Sequence, residues 1–189
     1  MVEDLIHLDK ELFLFLNNLG NTSWDGFWML ITSQTSGYPI YLVLLFFSYR
    51  SYGLRKTMLL LVFVALLITC TDQLSNFFKY GVKRLRPCYD QDLEGLMRLV
   101  KNSCGGKYSY FSAHAANSFA VAFFFTYLLG ARYRILGAFL MIWAVFVAYS
   151  RIYIGVHFPL DVLTGAAVGI LFSWLFAKLY LFSIHKYYL

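Results

Sequence analysis

Imidazole, guanidinium, ammonium and carboxylate groups gather in three short segments of this chain: KYGVKRLRP at 79–87, FSAH at 111–114 and SRIYIGVHFPLD at 150–161. Phosphoryl transfer is catalysed mainly by positioning and by neutralising charge on the phosphate oxygens, for which Arg offers a planar fork and Lys a compact point charge. Lys79, Lys83, Arg84 and Arg86 close one apolar run and form a candidate phosphate clamp; taken alone, they also suit headgroup anchors whose stems snorkel along the bilayer. Ser112 is an expected helix N-cap, leaving free N–H groups of the following first turn to face an anion. His114 beside it can protonate a leaving oxygen near neutral pH, or serve the structure alone. Arg151 and His157 flank a turn, and Pro159 suits the first turn of a new helix. Asp161 follows His157 by four residues, where a carboxylate can accept the Nδ1 proton and make Nε2 the nucleophile. An ion-pair anchor is the alternative there.

Groups of this kind need rigid elements, and the composition says which. The 189 residues are 60% apolar, 20% aromatic and 14% charged, far from the balance of a water-soluble domain, and their number suits one domain, 1–189. A spanning helix needs about 20 mostly apolar residues. Five segments qualify, at 24–49, 57–80, 113–131, 134–154 and 159–183. The first is interrupted by Ser33, Gln34, Thr35, Ser36, Gly37 and Pro39 and is expected to be broken or kinked. Ahead of it, Leu5, Leu8, Leu12, Phe13 and Leu16 recur at helical spacing among acidic residues, which predicts an amphipathic helix lying in the interface within 1–23. Glu3, Asp4, Asp9 and Glu11 stand where a secretory leader would be basic, so retention of this segment is expected.

The formal charge is +6, from 16 Lys and Arg against 10 Asp and Glu. Short basic turns at 50–56 and 132–134, with Lys186, read as cytoplasmic anchors. Residues 1–23, the loop 81–112 and the turn 155–158 then share the opposite face, and all three segments meet there. Lipid phosphate explains such a patch better than nucleic acid, which is not an expected partner. Cys88 and Cys104, both in the 81–112 loop, can pair in an oxidising compartment, worth about 3 kcal/mol of loop entropy, or remain thiols.

Polar residues inside spans are functional candidates by default. Asp72, Asn76, Lys79 and Lys83 fall on one helical face, where Asp72 can orient Lys79 or tie two helices together. Asn117, one turn below His114, has the same two readings. Gly165 and Gly169 form a GxxxG expected to bring helices close.

Lys79 to Pro87 as K-x6-RP, Ser112 to His114 as SxH, and Ser150 to Asp161 as SR-x5-H-x3-D, in this order and each at a helix end, resemble the type 2 phosphatidic acid phosphatase family. The resemblance covers 57–183. It implies an all-α, polytopic membrane helical bundle of about five transmembrane helices, hydrolysing a lipid phosphate or diphosphate in two steps without metal or other cofactor. By the resemblance, His157 attacks phosphorus and becomes a phosphohistidine, Asp161 orients it, and His114 protonates the departing oxygen and later activates water. Lys79, Arg86, Ser112, Arg151 and a backbone N–H near Ala113 hold the phosphoryl oxygens. The sequence has Phe111 and Ala113 where the family's second motif reads PSGH. The substrate expected first is undecaprenyl diphosphate, with phosphatidylglycerophosphate, phosphatidate and lipid A as alternatives, at the outer face of the cytoplasmic membrane. Three rivals remain: a soluble vanadium haloperoxidase, disfavoured by five apolar spans; a non-catalytic lipid transporter or receptor, which would be expected to lack one of His114, His157 and Asp161; and a metal hydrolase using Asp90, Asp92 and Glu94 beside the histidines, disfavoured by the surrounding cations.

Overall fold

The computed structural model describes residues 2–33, 35–101 and 103–188, with the backbone alone for Tyr188, so Gln34 of the interrupted first span lies outside the described residues. The chain is 80% helical. Among the described residues six helices follow one another: α1 Val2–Asn18, α2 Thr22–Thr32, α3 Tyr38–Val82, α4 Ala113–Leu129, α5 Arg134–Tyr153 and α6 Pro159–Tyr188, with short 3-10 turns at Thr35–Gly37, Pro87–Tyr89 and Gln91–Leu93. Among the described residues α3, α5 and α6 are long and apolar enough to cross a membrane, and α4 is a shorter apolar helix.

A helix that is apolar on every side belongs in the middle of a bundle, and α4 is that helix. Ala115, Ala116, Ala120, Val121, Ala122, Phe124, Phe125 and Leu129 are all buried, and α3, α5 and α6 pack around them. Glycine sets how near α6 comes. A Cβ added to Gly165 would stand 2.5 Å from the Ser112 carbonyl oxygen, and one on Gly169 would run into the Ala116 carbonyl. The GxxxG therefore serves close packing, as its spacing predicts.

The predicted first span is divided. Its front part is α2, its polar interruption is the 3-10 turn, and its remainder opens α3, where Pro39 sits in the first turn and needs no kink. The basic turn expected at 50–56 is likewise shorter. Helix continues through it apart from Gly53, whose φ of 73° and ψ of 175° break α3 into two arms. At 45 residues a straight α3 would run about 67 Å, twice the ~30 Å hydrocarbon thickness. The arms instead lie side by side, since Tyr41 shares a hollow with Ile68, and Ser48 lies across it from Leu60.

The two ends of the bundle differ as the charge pattern predicts. One end holds the Gly53 break and the turn after α4, tied by Tyr52 Oη donating to Leu128 O at 2.7 Å and Tyr180 Oη donating to Lys56 O at 3.1 Å. The other holds α1, the loop after α3 and the α5–α6 turn. That loop is closed by a Cys88–Cys104 disulfide and a bridge between Leu85 and Tyr108, while Cys70 is free.

Helix α1 turns its polar residues inward. Phe13 is fully buried between Asp9 and Asn17, whereas Leu5, Leu8 and Leu12 are 50%, 60% and 42% exposed. An apolar outer face suits an interfacial helix, but the inner face is a row of hydrogen-bonding groups, described next.

Candidate active site

The end that carries α1 contains a cavity of about 440 Å³ lined by Lys79, Arg86, Ala113, His114, Arg151 and His157. Asp72 and Asn117 line it lower down. The three sequence segments thus converge on one space. Each is brought there by a local device.

The first device is the start of α4. Ser112 donates its backbone N–H to the Asp161 carbonyl at 2.9 Å, and its Oγ accepts from Ala115 N at 3.4 Å. Ser75 Oγ donates to Phe111 O at 2.8 Å. These bonds sew the N-termini of α4 and α6 to α3, so His114 on the first turn of α4 faces His157. Ser112 itself is fully buried and does not line the cavity, so its side chain works as the N-cap. Ala113 is at the wall.

The second device is the turn from 154 to 158. Gly155 adopts a φ of 82°, and a Cβ there would stand 2.5 Å from Arg98 O and 2.7 Å from Met97 Cε, so both backbone shape and crowding demand glycine. The turn drives His157 inward until 2% of it is exposed. Its Nδ1 lies 3.6 Å from Asp161 Oδ2, an ion-pair distance rather than the formed hydrogen bond that the spacing predicts, and Nδ1 has no hydrogen-bond partner. Asp161 Oδ2 accepts instead from Phe158 N at 3.0 Å. Burial, with Arg151 and Arg86 nearby, draws the His157 pKa down to about 4 against the upward pull of Asp161, so the imidazole is neutral at pH 7 and its nitrogen lone pair is available.

The third device is the Arg86 cradle. Its Nε donates to Tyr108 O at 3.2 Å and its Nη1 to Cys104 O at 2.7 Å, which fixes the fork at the cavity wall. Arg151 is 5% exposed and its Nη1 donates to Thr32 Oγ1 at the end of α2. Its Nε is buried without a partner, which leaves a donor for an anion.

Some predicted residues stand elsewhere. Asn76 and Lys83 are exposed and line no part of this cavity. The expected polar stripe ends early because Lys83 caps α3 in a left-handed conformation, φ 56°. The inward neighbours are Thr71, bonded to Asn117 Oδ1 at 2.6 Å, and Ser75. Arg84 leaves the clamp as well. It donates to Asp161 Oδ1 at 3.0 Å and to Asp9 Oδ2 at 2.5 Å, with its guanidinium 4.1 Å over the Phe158 ring. Asp90 and Asp92 pair with Lys10, each at 2.7 Å, and neither they nor Glu94 line the cavity that holds the histidines.

Four residues near the site escaped the sequence reading. Asp9 also accepts from Leu160 N at 2.9 Å. Asn17 donates to Ile152 O at 3.0 Å and Tyr153 O at 2.9 Å, and accepts from Arg98 N at 2.7 Å. The spacing Asp9, Phe13, Asn17 along one helical face was the available signal. Thr32 gave none, and neither did Lys101, whose charge is felt by His114.

A helical bundle made for a bilayer, with a cation-rich cavity holding two imidazoles at one end, falls in the class of membrane enzymes that act on phosphate groups. The comparison with known proteins gives the family. The PAP2 superfamily model matches residues 56–184, and the chain belongs to that superfamily of membrane phosphatases. It is 35% identical to a lipid A 4'-phosphatase of Bacteroides thetaiotaomicron over 93% of this chain and 78% of the relative. A lipid A 4'-phosphatase of Porphyromonas gingivalis is 32% identical over 96% and 77%. An undecaprenyl-diphosphatase of Sulfolobus acidocaldarius is 28% identical over 92% and 77%. Among solved structures, the PAP2 type phosphatidylglycerolphosphate phosphatase of Bacillus subtilis superposes with a TM-score of 0.73 at 19% identity, over 93% of this chain and 86% of that one, a likeness of fold.

Proposed function

We propose that this phosphatase removes a phosphate from a lipid A-type glycolipid, without a metal, through a phosphohistidine on His157. The observation that carries the reading is the convergence of Lys79, Arg86, His114, Arg151 and His157 on one cavity. Nε2 of neutral His157 attacks phosphorus. The P–O bond to the lipid breaks, and the departing oxygen takes a proton from His114. His114 then accepts a proton from water, whose oxygen attacks the phosphohistidine and releases phosphate with His157 restored. Lys79, Arg86, Arg151 and the N–H groups at the start of α4 near Ala113 hold the oxygens throughout. Asp72 and Asn117 line the floor as supporting groups.

Undecaprenyl diphosphate, the substrate expected first, has less behind it, since its relative is 28% identical against 35% and 32% for the two lipid A enzymes. The partners of the reading are the phosphorylated lipid and the bilayer. Helices α4, α5, α6 and the two arms of α3 act as the spans, and the cavity faces outward across the cytoplasmic membrane, with the basic ends at Arg50, Arg55, Lys56, Arg132 and Arg134 inside.

The test is phosphate release by purified protein in excess chelator from lipid A, undecaprenyl diphosphate, phosphatidylglycerophosphate and phosphatidate, with His157→Ala alongside. Lipid A turned over fastest, with release abolished in the variant, is the expected result. An acid-labile radiolabel trapped on wild type and absent from His157→Ala reports the intermediate. Activity lost in chelator and restored by a divalent ion would overturn the metal-free mechanism.

A further inference from the structure

A second hollow, of about 200 Å³, adjoins the phosphate cavity. Tyr41, Ile68 and Val121 line both, so the two spaces meet at these three side chains. Beyond that shared neck the walls are Leu44 and Ser48 on the first arm of α3, Leu60 and Val64 on the second, and Phe125 on α4. The spacings Tyr41, Leu44, Ser48 and Leu60, Val64, Ile68 each follow one face of a helix, so the hollow is a groove running along the helix axes for about 10–12 Å. The Ser48 hydroxyl is already engaged, as its Oγ donates to Leu44 O at 2.7 Å. Leu45 and Leu61, at its rim, are each 40% exposed on the lipid-facing side.

Ile68, Asp72 and Lys79 lie on the same arm of α3, and the 11 residues from neck to clamp correspond to about 16 Å of helix. The section between is mixed, with Asp72, Asn117, Ser33 and Ser36 standing among Ile31, Trp143 and Val147. From top to bottom the space therefore offers cations, then hydroxyl, amide and carboxylate groups, then hydrocarbon. We infer that the groove between the two arms of α3 is a tail site, seating one alkyl chain of the same substrate molecule whose phosphate reaches His157, while a polar, sugar-sized group fills the section between. The shared wall of Tyr41, Ile68 and Val121 selects this occupant over a resident bilayer lipid, because a chain passing these three side chains is already tethered to the group being cleaved.

This inference rests on the proposed phosphatase reading, and one experiment separates the two. Wild type, Val64→Phe, Leu45→Trp and a control, Leu42→Trp, are assayed on lipid A and on the same phosphorylated headgroup stripped of all its alkyl chains. Leu42 is on the same arm but lines neither space, and is 67% exposed. The groove-filling variants are expected to lose about tenfold or more in kcat/KM on acylated lipid A, the scale of a misfitted apolar pocket, with the stripped substrate and the control unaffected. Equal loss on both substrates, or no loss on either, would overturn the tail site and leave the phosphatase reading standing. No phosphate release by wild type from any substrate would overturn the reading beneath it.

Discussion

At His157, burial has a measurable consequence. Its folded pKa of about 4 lies below the ordinary imidazole value of 6.5. The unfolded chain therefore binds the proton more readily, and this group's contribution to stability is full above the ordinary value and lost as pH falls towards about 4. The acid limb of kcat/KM is expected to fall near the same pH, well below that of a free imidazole. Asp161 pulls the other way, so Asp161→Asn is expected to shift the limb to lower pH and cut kcat by about 10²-fold through loss of orientation; an unmoved limb would show that Asp161 does not sense this proton. Arg84 has a different task. It is shared by two carboxylates that are 1% and 0% exposed, and Arg84→Leu would strand both. Denaturation of Arg84→Leu should show a loss of about 3–5 kcal/mol. Residue type and spacing could not separate Arg84 from Arg86; the family resemblance picks out Arg86, but nothing in the sequence says that Arg84 folds back to Asp9.

Among the elements, α1 shows how pattern and role can diverge. Its apolar spacing was legible, yet the residues that matter to the site are the polar ones. Asn17 bonds the last carbonyls of α5, and Asp9 bonds Leu160 at the start of α6, so α1 holds both flanks of the turn that presents His157. Asn17→Ala is expected to lower kcat by about tenfold with KM little changed, because near-attack geometry rather than binding is loosened; a change confined to KM would refute this. Close packing of α6 was legible from Gly165 and Gly169, but that its partner is α4 was not. Gly169→Leu forces the helices apart and should cost about 1–3 kcal/mol by thermal unfolding. The broken first span was legible only in outline, since polar residues at 33–36 announce an interruption without saying that the helix before it turns to pack Trp28 on Phe146 and Tyr149.

For the whole molecule, the separation of basic turns from the end that holds the histidine cavity was readable from charge alone, because both signals lie in short segments fixed to helix ends. The grouping of the two arms of α3 around a groove was not, because Gly53 is one glycine among 13 and its left-handed φ has no sequence mark. Orientation is open to direct measurement. A membrane-impermeant thiol reagent applied to intact cells should label a cysteine placed at Lys107 and spare one placed at Arg132 in a chain with Cys70 replaced; the reverse pattern would invert the proposed topology.

The Arg86 fork is hung from the carbonyl of Cys104, and Cys104 is covalently joined to Cys88. Assembly of the phosphate clamp is thereby linked to the maturation of the chain. A copy in reducing surroundings lacks that crosslink, and with it the fixed seat of a cation at the cavity wall. Insertion alone does not finish this wall; it is completed where the two cysteines are oxidised.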